Sequence, residues 1–273
     1  MAKILKELKR NSMAIFWHEL KRNKISLAIW SLTIAFMLGI TIIIYPEMSS
    51  QMGELSDVFA NMGSFSDAFG MDQLNFGEFM GYFGVECGNT LGLGGALFAA
   101  IIGVNALCKD EKDRTAEFML SHPVSRSRVV TEKLLAVIAQ LTVMNLTVVA
   151  ISAVCCVAIS ADADVGKMAL LFLANYFLQI EIAAITFGIS ALLHGNGLGI
   201  GLGLVMLFYF MSIISNITEA LDFLKYITPY GYTDGSHIVS EGSLEPWYLA
   251  VGFLLSVAGL VLAYVKYTKK DIS

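Results

Sequence analysis

The chain alternates between six long apolar segments and shorter stretches rich in polar residues. Within each segment the apolar residues are continuous and do not alternate with a period of two, which indicates helices rather than the strands of a membrane barrel. Each segment approaches or exceeds the about 20 residues that a helix needs to cross the hydrocarbon core of a bilayer. The segments cover residues 25–45, 81–108, 134–160, 168–193, 195–217 and 247–265. The pattern therefore predicts an all-α integral membrane protein with six transmembrane helices.

The composition supports this class and excludes a soluble protein. Of the 273 residues, 56% are hydrophobic and only 15% are charged, and the mean hydropathy is +0.67. Soluble domains contain about 25% charged residues. A chain this poor in charge cannot cover its surface with polar groups, so most of that surface must face lipid.

The basic residues predict the orientation in the membrane. Of the 18 Lys and Arg residues, seven lie in residues 1–24, six in 109–133 and three in 266–273. Only Lys167 and Lys225 lie elsewhere. Because loops rich in Lys and Arg stay on the cytoplasmic side, we expect both termini to be cytoplasmic. We also expect a multi-pass protein of the cell membrane.

The chain divides into two predicted parts. Residues 1–24 combine basic residues with apolar residues at loosely helical spacing, which favours an amphipathic helix on the inner membrane surface over a frayed basic tail. Residues 25–273 form a single transmembrane domain, with the cytoplasmic loop 109–133 between the second and third helices. The outer loops 46–80 and 218–246 each contain a short amphipathic pattern. The sequence leaves open whether either loop re-enters the membrane.

Small residues recur at every fourth position in the second and fifth predicted helices. This spacing allows helix backbones to approach each other closely in lipid. We therefore expect tight helix packing at these positions, either within the subunit or between two subunits. The glycines concerned are Gly84, Gly88, Gly92, Gly195, Gly199 and Gly203.

Two acidic residues interrupt the apolar segments. Glu181 lies near the middle of the fourth segment close to Gln179, and Glu86 lies in the second beside Asn89. Acids within a membrane are costly and usually face a cavity or a partner. These four residues are therefore candidates for a translocation path, and a proton-coupled secondary transporter using Glu86 and Glu181 is one hypothesis. The structural alternative is a protonated glutamic acid that hydrogen-bonds to a neighbouring helix.

No set of residues indicates catalysis within this chain. The stretch GNGLGIGLGLV lacks the G-x-G-x-x-G spacing, and the Gly166-Lys167 pair is followed by Met168 rather than by Ser or Thr. The cysteines and histidines match no metal-binding spacing, and the cysteines do not form a disulfide framework. We expect a protein that is not an enzyme and that holds no metal or cofactor of its own.

The loop 109–133 has the features of a docking element. Residues 111–122 can form a short helix with acids in its first turn; Pro123 ends it, and Ser125 can cap the next helix. An apolar group stands between the charged flanks of this loop: Phe118, Met119 and Leu120. Such a group fits a helix-in-groove contact with another protein. An interfacial linker whose Phe and Leu contact lipid is the alternative.

The stretch KDEKDRTAEFMLSHPVSRSRVVTEKLL resembles the first cytoplasmic loop of ATP-binding-cassette (ABC) exporter permeases of the type-two class. That loop has a Thr-x-Glu-(Phe/aliphatic)-Leu-Leu segment, then Ser-x-Pro-Val-(Ser/Thr)-Arg and a Lys that enters the next helix. The stretch LKYITPYGYTDGSHI and the ending YTKKDIS are also similar to the family. The matching loop residues are Thr115, Glu117, Phe118, Leu120, Pro123, Val124, Ser125, Arg126 and Lys133, whereas Met119 and His122 are variants.

The resemblance implies a permease that pairs with a second copy or with a paralogous permease. It also implies a separate cytosolic ABC ATPase, which binds ATP and Mg²⁺ and drives export, and no nucleic-acid partner. The substrate stays open, since the family carries drugs, antimicrobial peptides, ions and glycans. The expected ATPase-docking residues are Glu117, Phe118, Met119, Leu120 and Pro123, supported electrostatically by Arg126 and Arg128.

Overall fold

The computed structural model describes residues 13–60, 77–112 and 124–270, and within these ranges the chain is helical and contains no strand. Six stretches are long and apolar enough to cross a membrane, which confirms the predicted fold class. We call them the first to the sixth span. They cover Ala14–Ser50, Phe79–Lys109, Arg126–Ala158, Val165–Ser190, Leu198–Ile217 and Pro246–Lys269. The side of the membrane on which the termini lie stays a prediction.

The first helix is longer than the segment predicted to cross the membrane. It runs without interruption from Ala14 to Ala60 and includes Pro46. The border predicted at residue 24 is therefore not the end of a helix. Residues 18–30 contain no Gly or Pro that would break the helix there. Residues 1–12 and 61–76 lie outside the described residues, and so does a part of each surface helix predicted there.

Successive spans run in opposite directions, and the two ends of the bundle differ in charge. At one end, Lys133 of the third span contacts Glu19 of the first, and Lys270 contacts Leu193 beyond the fourth. We call this the basic end and the opposite one the acidic end. The first span packs mainly on the third, the second on the fourth, and the fourth also on the sixth. The fourth span is therefore the centre of the bundle.

Local capping fixes where several helices begin. Ser125 accepts a hydrogen bond from the backbone N–H of Arg128, as the sequence predicts for the start of the third span. Asp164 accepts bonds from the N–H groups of Gly166 and Lys167 at 2.9 and 3.1 Å at the start of the fourth. The sixth span has Pro246 in its first turn, where the missing backbone N–H of proline costs nothing. Side-chain caps of this kind satisfy N–H groups that the helix itself leaves unpaired.

The segment between the fifth and sixth spans folds back into the bundle. Thr228 Oγ1 donates a hydrogen bond to Phe208 O at 2.9 Å. Phe208 lies nine residues before the end of the fifth span at Ile217, about 14 Å along a helix. The segment consists of three short helices: Glu219–Tyr226, Gly231–Thr233 and Gly235–Glu241. It is therefore re-entrant from the acidic end, and we call it the re-entrant segment.

The second span contains a π-helical turn. Gly88–Leu93 separates the α-helices Phe79–Cys87 and Gly94–Lys112. Such turns are rare and frequently mark functional sites. Here the turn lies where the second span passes the polar residues of the fourth, since a Cβ on Gly92 would come within 2.8 Å of Asn175 Oδ1.

Candidate functional site

The structure describes the predicted docking loop 109–133 only at its two ends, residues 109–112 and, at its exit, residues 124–133. Glu117, Phe118, Met119, Leu120 and Pro123 lie outside the described residues. Arg126 and Arg128, which follow directly, are described. The side chains that surround this exit form a set that we call the coupling junction, which consists of Glu19, Arg126, Arg128, Glu132 and Lys133.

Arg126 connects the loop exit to the end of the sixth span. Its guanidinium donates to the carbonyl of Thr268 at 3.4 Å and to that of Tyr267 at 3.5 Å, and it also contacts the carbonyl of Lys270. The last carbonyls of a helix have no partner within the helix and carry partial negative charge. A cation at this position therefore both satisfies these groups and complements the helix dipole.

Arg128 and Glu132 connect the exit to the beginning of the first helix. Arg128 Nε donates to Glu132 Oε1 at 2.7 Å. The other carboxylate oxygen accepts from the N–H groups of Ile15 and Phe16 at 3.0 and 3.3 Å. Glu132 thus caps a helix that lies far from it in the sequence, using a negative charge at a positive helix end.

Lys133 connects the third span to two others. It is 1% exposed. Its Nζ donates to Glu19 Oε1 of the first span at 2.7 Å and to the carbonyl of Ala106 in the second at 2.7 Å. Arg22 donates to the other oxygen of Glu19 at 2.6 Å. The exit of the loop is therefore bonded to the first, second and sixth spans at once.

Glu181 forms a second polar site inside the bundle, between the fourth span and the re-entrant segment. It is 3% exposed, and its Oε2 accepts a hydrogen bond from the Tyr232 hydroxyl at 2.9 Å. Gly252 of the sixth span leaves the room for it, because a Cβ there would come within 2.2 Å of Oε2. The Tyr232 hydroxyl is thus the donor and the carboxyl oxygen of Glu181 the acceptor.

Gln179 lies on a different face of the fourth span from Glu181. It accepts a hydrogen bond from Asn145 of the third span at 2.5 Å and packs against Gly95 of the second. Both amide side chains are buried, and each keeps one polar atom without a partner among the described residues. The structure therefore brings Gln179 together with Asn145 rather than with Glu181.

The other two predicted path residues lie closer to the acidic end. Asn89 accepts a hydrogen bond from the hydroxyl of Tyr209 in the fifth span at 3.3 Å, beside a small cavity of about 80 Å³. Lys225 and Tyr230 of the re-entrant segment line the same cavity. Glu86 is half-buried, and within the described residues no hydrogen bond joins it to Glu181 or Asn89. The four predicted residues thus lie at three separate places.

With the fold and these two sites described, comparison with known proteins places the chain in a family. A family model described as ABC-2 family transporter protein matches residues 13–272. The chain belongs to the ABC-2 transporter family. Among individual proteins of curated function, none matches it. The family agrees with the resemblance of the 109–133 loop, and this ABC-2 permease spans the membrane several times.

The predicted glycine ladders of the permease divide into closed and open faces. A Cβ on Gly84 would lie 3.4 Å from the carbonyl oxygen of Gly235 and 3.0 Å from Val239, and one on Gly92 would contact Asn175. A Cβ would meet no described atom within 4 Å at any of the others: Gly88, Gly195, Gly199 and Gly203. Gly195 lies in the turn before the fifth span begins at Leu198, so the predicted ladder is shorter than expected. Gly199 and Gly203 make no close packing contact with the described residues.

Several contacts at the centre of the ABC-2 permease were not predicted from the sequence. Gly188 of the fourth span and Gly259 of the sixth face each other, and a Cβ on either would come within 2.5 Å of a backbone oxygen of the other helix. Gly201 of the fifth span, rather than its predicted neighbours, packs on Val104. Gly188 follows Ala184 by four residues and Gly259 precedes Ala263 by four, so the small-residue spacing was present in the sequence, although the prediction did not include it. No metal-binding cluster occurs among the described residues.

Proposed function

We propose that this ABC-2 permease is the membrane subunit of an ATP-driven exporter. A separate cytosolic ABC ATPase binds ATP and Mg²⁺ and docks on the loop 109–133. Two permeases, either identical or paralogous, form the pathway between them. The chain itself carries no ATP-hydrolysing site in this proposal.

The coupling junction is the observation that supports this function best. Arg126 and Lys133 follow the predicted docking helix within three turns and are bonded to the ends of other spans. Arg128 pairs with Glu132, whose other carboxylate oxygen is bonded to the beginning of the first span. A buried ion pair and charge-assisted hydrogen bonds are stiff connections. A displacement of the loop by an ATPase would therefore move the first, second and sixth spans together with the third. A linker that only contacts lipid needs no such connections.

The open glycine ladder of the fifth span supports a pairing of two permeases. A Cβ added to Gly199 or Gly203 would meet no described atom within 4 Å. In the single subunit, only 17% of the most apolar stretch of the fifth span is buried. Small residues in an exposed face of a membrane helix allow close approach of another helix. A second permease is the partner that this proposal assigns to that face.

A proton-coupled secondary transporter is the second candidate, and buried Glu181 is what favours it. Oε1 of Glu181 has no hydrogen-bond partner among the described residues. A buried carboxyl with a single hydrogen bond is far more stable neutral than charged, so it can hold a proton. Among the described residues, however, no hydrogen bond joins Glu181 to Glu86, the other acid that this mechanism would use. The exporter therefore stays the first proposal.

The test is a pull-down of the tagged permease from its native membrane in mild detergent, beside Phe118→Asp. A P-loop ATPase should accompany the wild type and be lost from the variant. Phe223→Asp is the matched control, because it places the same charge on an exposed Phe in the re-entrant segment at the other end. All three proteins must reach the membrane equally. If an ATPase accompanies Phe118→Asp as well, the docking role of this loop is wrong; if none accompanies the wild type, the secondary transporter takes first place.

A further inference from the structure

The small cavity beside Asn89 is enclosed by the second span, the fifth span and the re-entrant segment. Its volume is about 80 Å³. Since a single water needs about 10–15 Å³ of such volume, the cavity can hold a molecule of about six heavy atoms. Ser212 and Asn216 of the fifth span line it and are half-buried, and the span ends one residue after Asn216. A solute at the acidic end can therefore reach the cavity.

Tyr230 of the re-entrant segment lines this cavity and has an unpaired hydroxyl group. The residue is 6% exposed, and its hydroxyl has no hydrogen-bond partner among the described residues. The ring of Tyr230 packs edge to face against that of Tyr209, with the ring centroids 5.5 Å apart, whereas the hydroxyl of Tyr209 donates to Asn89. Buried polar groups are nearly always bonded, because an unpaired one costs free energy. The hydroxyl of Tyr230 thus indicates that the cavity takes an occupant.

Gly88 provides open space on the side of the second span. It lines the cavity, and a Cβ there would meet no described atom within 4 Å. Gly84, one turn earlier, also lines the cavity, but a Cβ there would lie 3.4 Å from the carbonyl oxygen of Gly235. A larger side chain at Gly88 is therefore expected to enter the cavity without displacing a neighbouring helix.

The described lining of the cavity carries no net charge. Its charged residues are one cation, Lys225, and one anion, Asp234. Lys225 pairs with Asp222 at 2.7 Å, and Asp234 accepts bonds from the N–H and the hydroxyl of Ser236 at 2.9 and 2.7 Å. A charged ligand would therefore lose its hydration without gaining an unengaged counter-charge. This balance favours a neutral occupant.

We propose that this cavity binds a small neutral molecule, or part of one, that carries several hydroxyl groups. A hydroxyl group both donates and accepts, which matches the amides and hydroxyls of the lining. Tyr230 bonds to one hydroxyl of the ligand, and Asn89, Ser212 and Asn216 bond to others. The rings of Tyr209 and Tyr230 cover its carbon atoms, because ligand sites combine aromatic walls with a few placed polar groups. The site belongs to a single chain, so this proposal depends neither on an ATPase nor on pairing of permeases.

The test measures binding of three matched probes to the purified full chain in a neutral detergent. Glycerol is the neutral probe, glycerate is its anionic analogue and aminopropanediol its cationic one. Saturation-transfer NMR detects the weak binding expected of such small molecules, and empty micelles give the blank. Tyr230→Phe removes the unpaired hydroxyl, and Tyr232→Phe is its matched control two residues away. Gly88→Val fills the cavity, and Gly195→Val is its control, because a Cβ there also meets no described atom within 4 Å but lies outside the cavity.

Glycerol should bind to the wild type and to both controls, whereas the two charged probes should bind more weakly. Binding should be about fivefold weaker in Tyr230→Phe, since one hydrogen bond contributes about that much, and should be lost in Gly88→Val. Without a probe, Tyr230→Phe should melt at the same temperature as the wild type or higher. Tyr232→Phe should melt lower, because it loses the bond to Glu181.

Four results would overturn the proposal. If glycerol does not bind to the wild type, the cavity holds only solvent. If Tyr230→Phe and Gly88→Val bind glycerol as well as their controls do, the site is elsewhere. Equal binding of either charged probe would contradict the preference for a neutral ligand. A lower melting temperature of Tyr230→Phe without a probe would show that its hydroxyl already has a structural partner.

Discussion

The buried ion pair between Lys133 and Glu19 gives the sharpest test of the coupling junction. Removing one partner of such a pair costs about 3–5 kcal/mol, because the other charge is left buried. In Lys133→Met, Arg22 still pairs with Glu19 at 2.6 Å, so we expect about 3 kcal/mol. Glu19→Gln should cost a similar amount, because it weakens the pairing of both Lys133 and Arg22. The double variant removes both charges and should cost clearly less than the sum of the two.

The measurement is a double-mutant cycle on the purified protein in mixed micelles. Unfolding is followed by tryptophan fluorescence or circular dichroism while the fraction of denaturing detergent is raised. Residues in direct contact show a coupling energy of about 0.5–3 kcal/mol, and we expect a value in the upper half of that range. Lys24→Met is the control, because this lysine is exposed on the same helix and should change the unfolding free energy by less than about 0.5 kcal/mol.

The reasoning would be refuted if the unfolding free energy lost in the double variant equalled the sum of the losses in the two single variants. If Lys133→Met and Glu19→Gln each changed the unfolding free energy no more than Lys24→Met does, the pair would not hold the first and third spans together. The coupling junction would then lose its central connection. The proposal that loop motion is transmitted through it would have to rest on Arg126 and on Glu132, which is bonded to the beginning of the first helix.

Three further predictions follow from the glycines and from Glu181. Gly259→Ala should destabilise the subunit by more than about 1 kcal/mol in the same unfolding assay, because its Cβ would lie 2.5 Å from Ala184 O. Gly203→Ala is the control: its Cβ meets open space, so this variant should be neutral or stabilising by about 0.5–1 kcal/mol. Gly199→Leu should weaken pairing of permeases in a crosslinking or light-scattering assay while leaving subunit stability unchanged; unaltered pairing would remove this face from the proposed interface. Glu181→Gln keeps an acceptor for Tyr232 and should spare ATPase assembly but alter transport, and normal transport would assign Glu181 a packing role.

The spans and their caps could be predicted because they depend on local sequence. Six apolar stretches of sufficient length give six spans, and Ser125 next to a helix-forming stretch gives a cap. The helix that continues across residue 24 was missed, since the change from polar to apolar surroundings does not require a change of backbone conformation. Hydrophobic length indicates where a helix crosses the membrane, but not where it begins.

The partners of the polar residues could not be predicted, because they come from distant parts of the chain. Glu181 pairs with Tyr232, 51 positions away, and Lys133 with Glu19, 114 positions away. Helical geometry alone does separate Gln179 from Glu181, since two residues correspond to about 200° around a helix. Their grouping by sequence proximity was therefore a weaker basis than the helical wheel. Glycine spacing likewise indicates which positions permit close approach, but not which neighbour uses them.

The π turn at Gly88–Leu93 divides the second span into two α-helices. Moving a π turn by one residue along the helix transfers that residue from one helix to the other and turns its side chain by about 100° around the axis. The helix at the basic end is bonded to Lys133 through the carbonyl of Ala106, and the helix at the acidic end packs through Gly84 on the re-entrant segment. A displacement of one helix can therefore be taken up at the π turn, so the two ends of this permease need not open and close together.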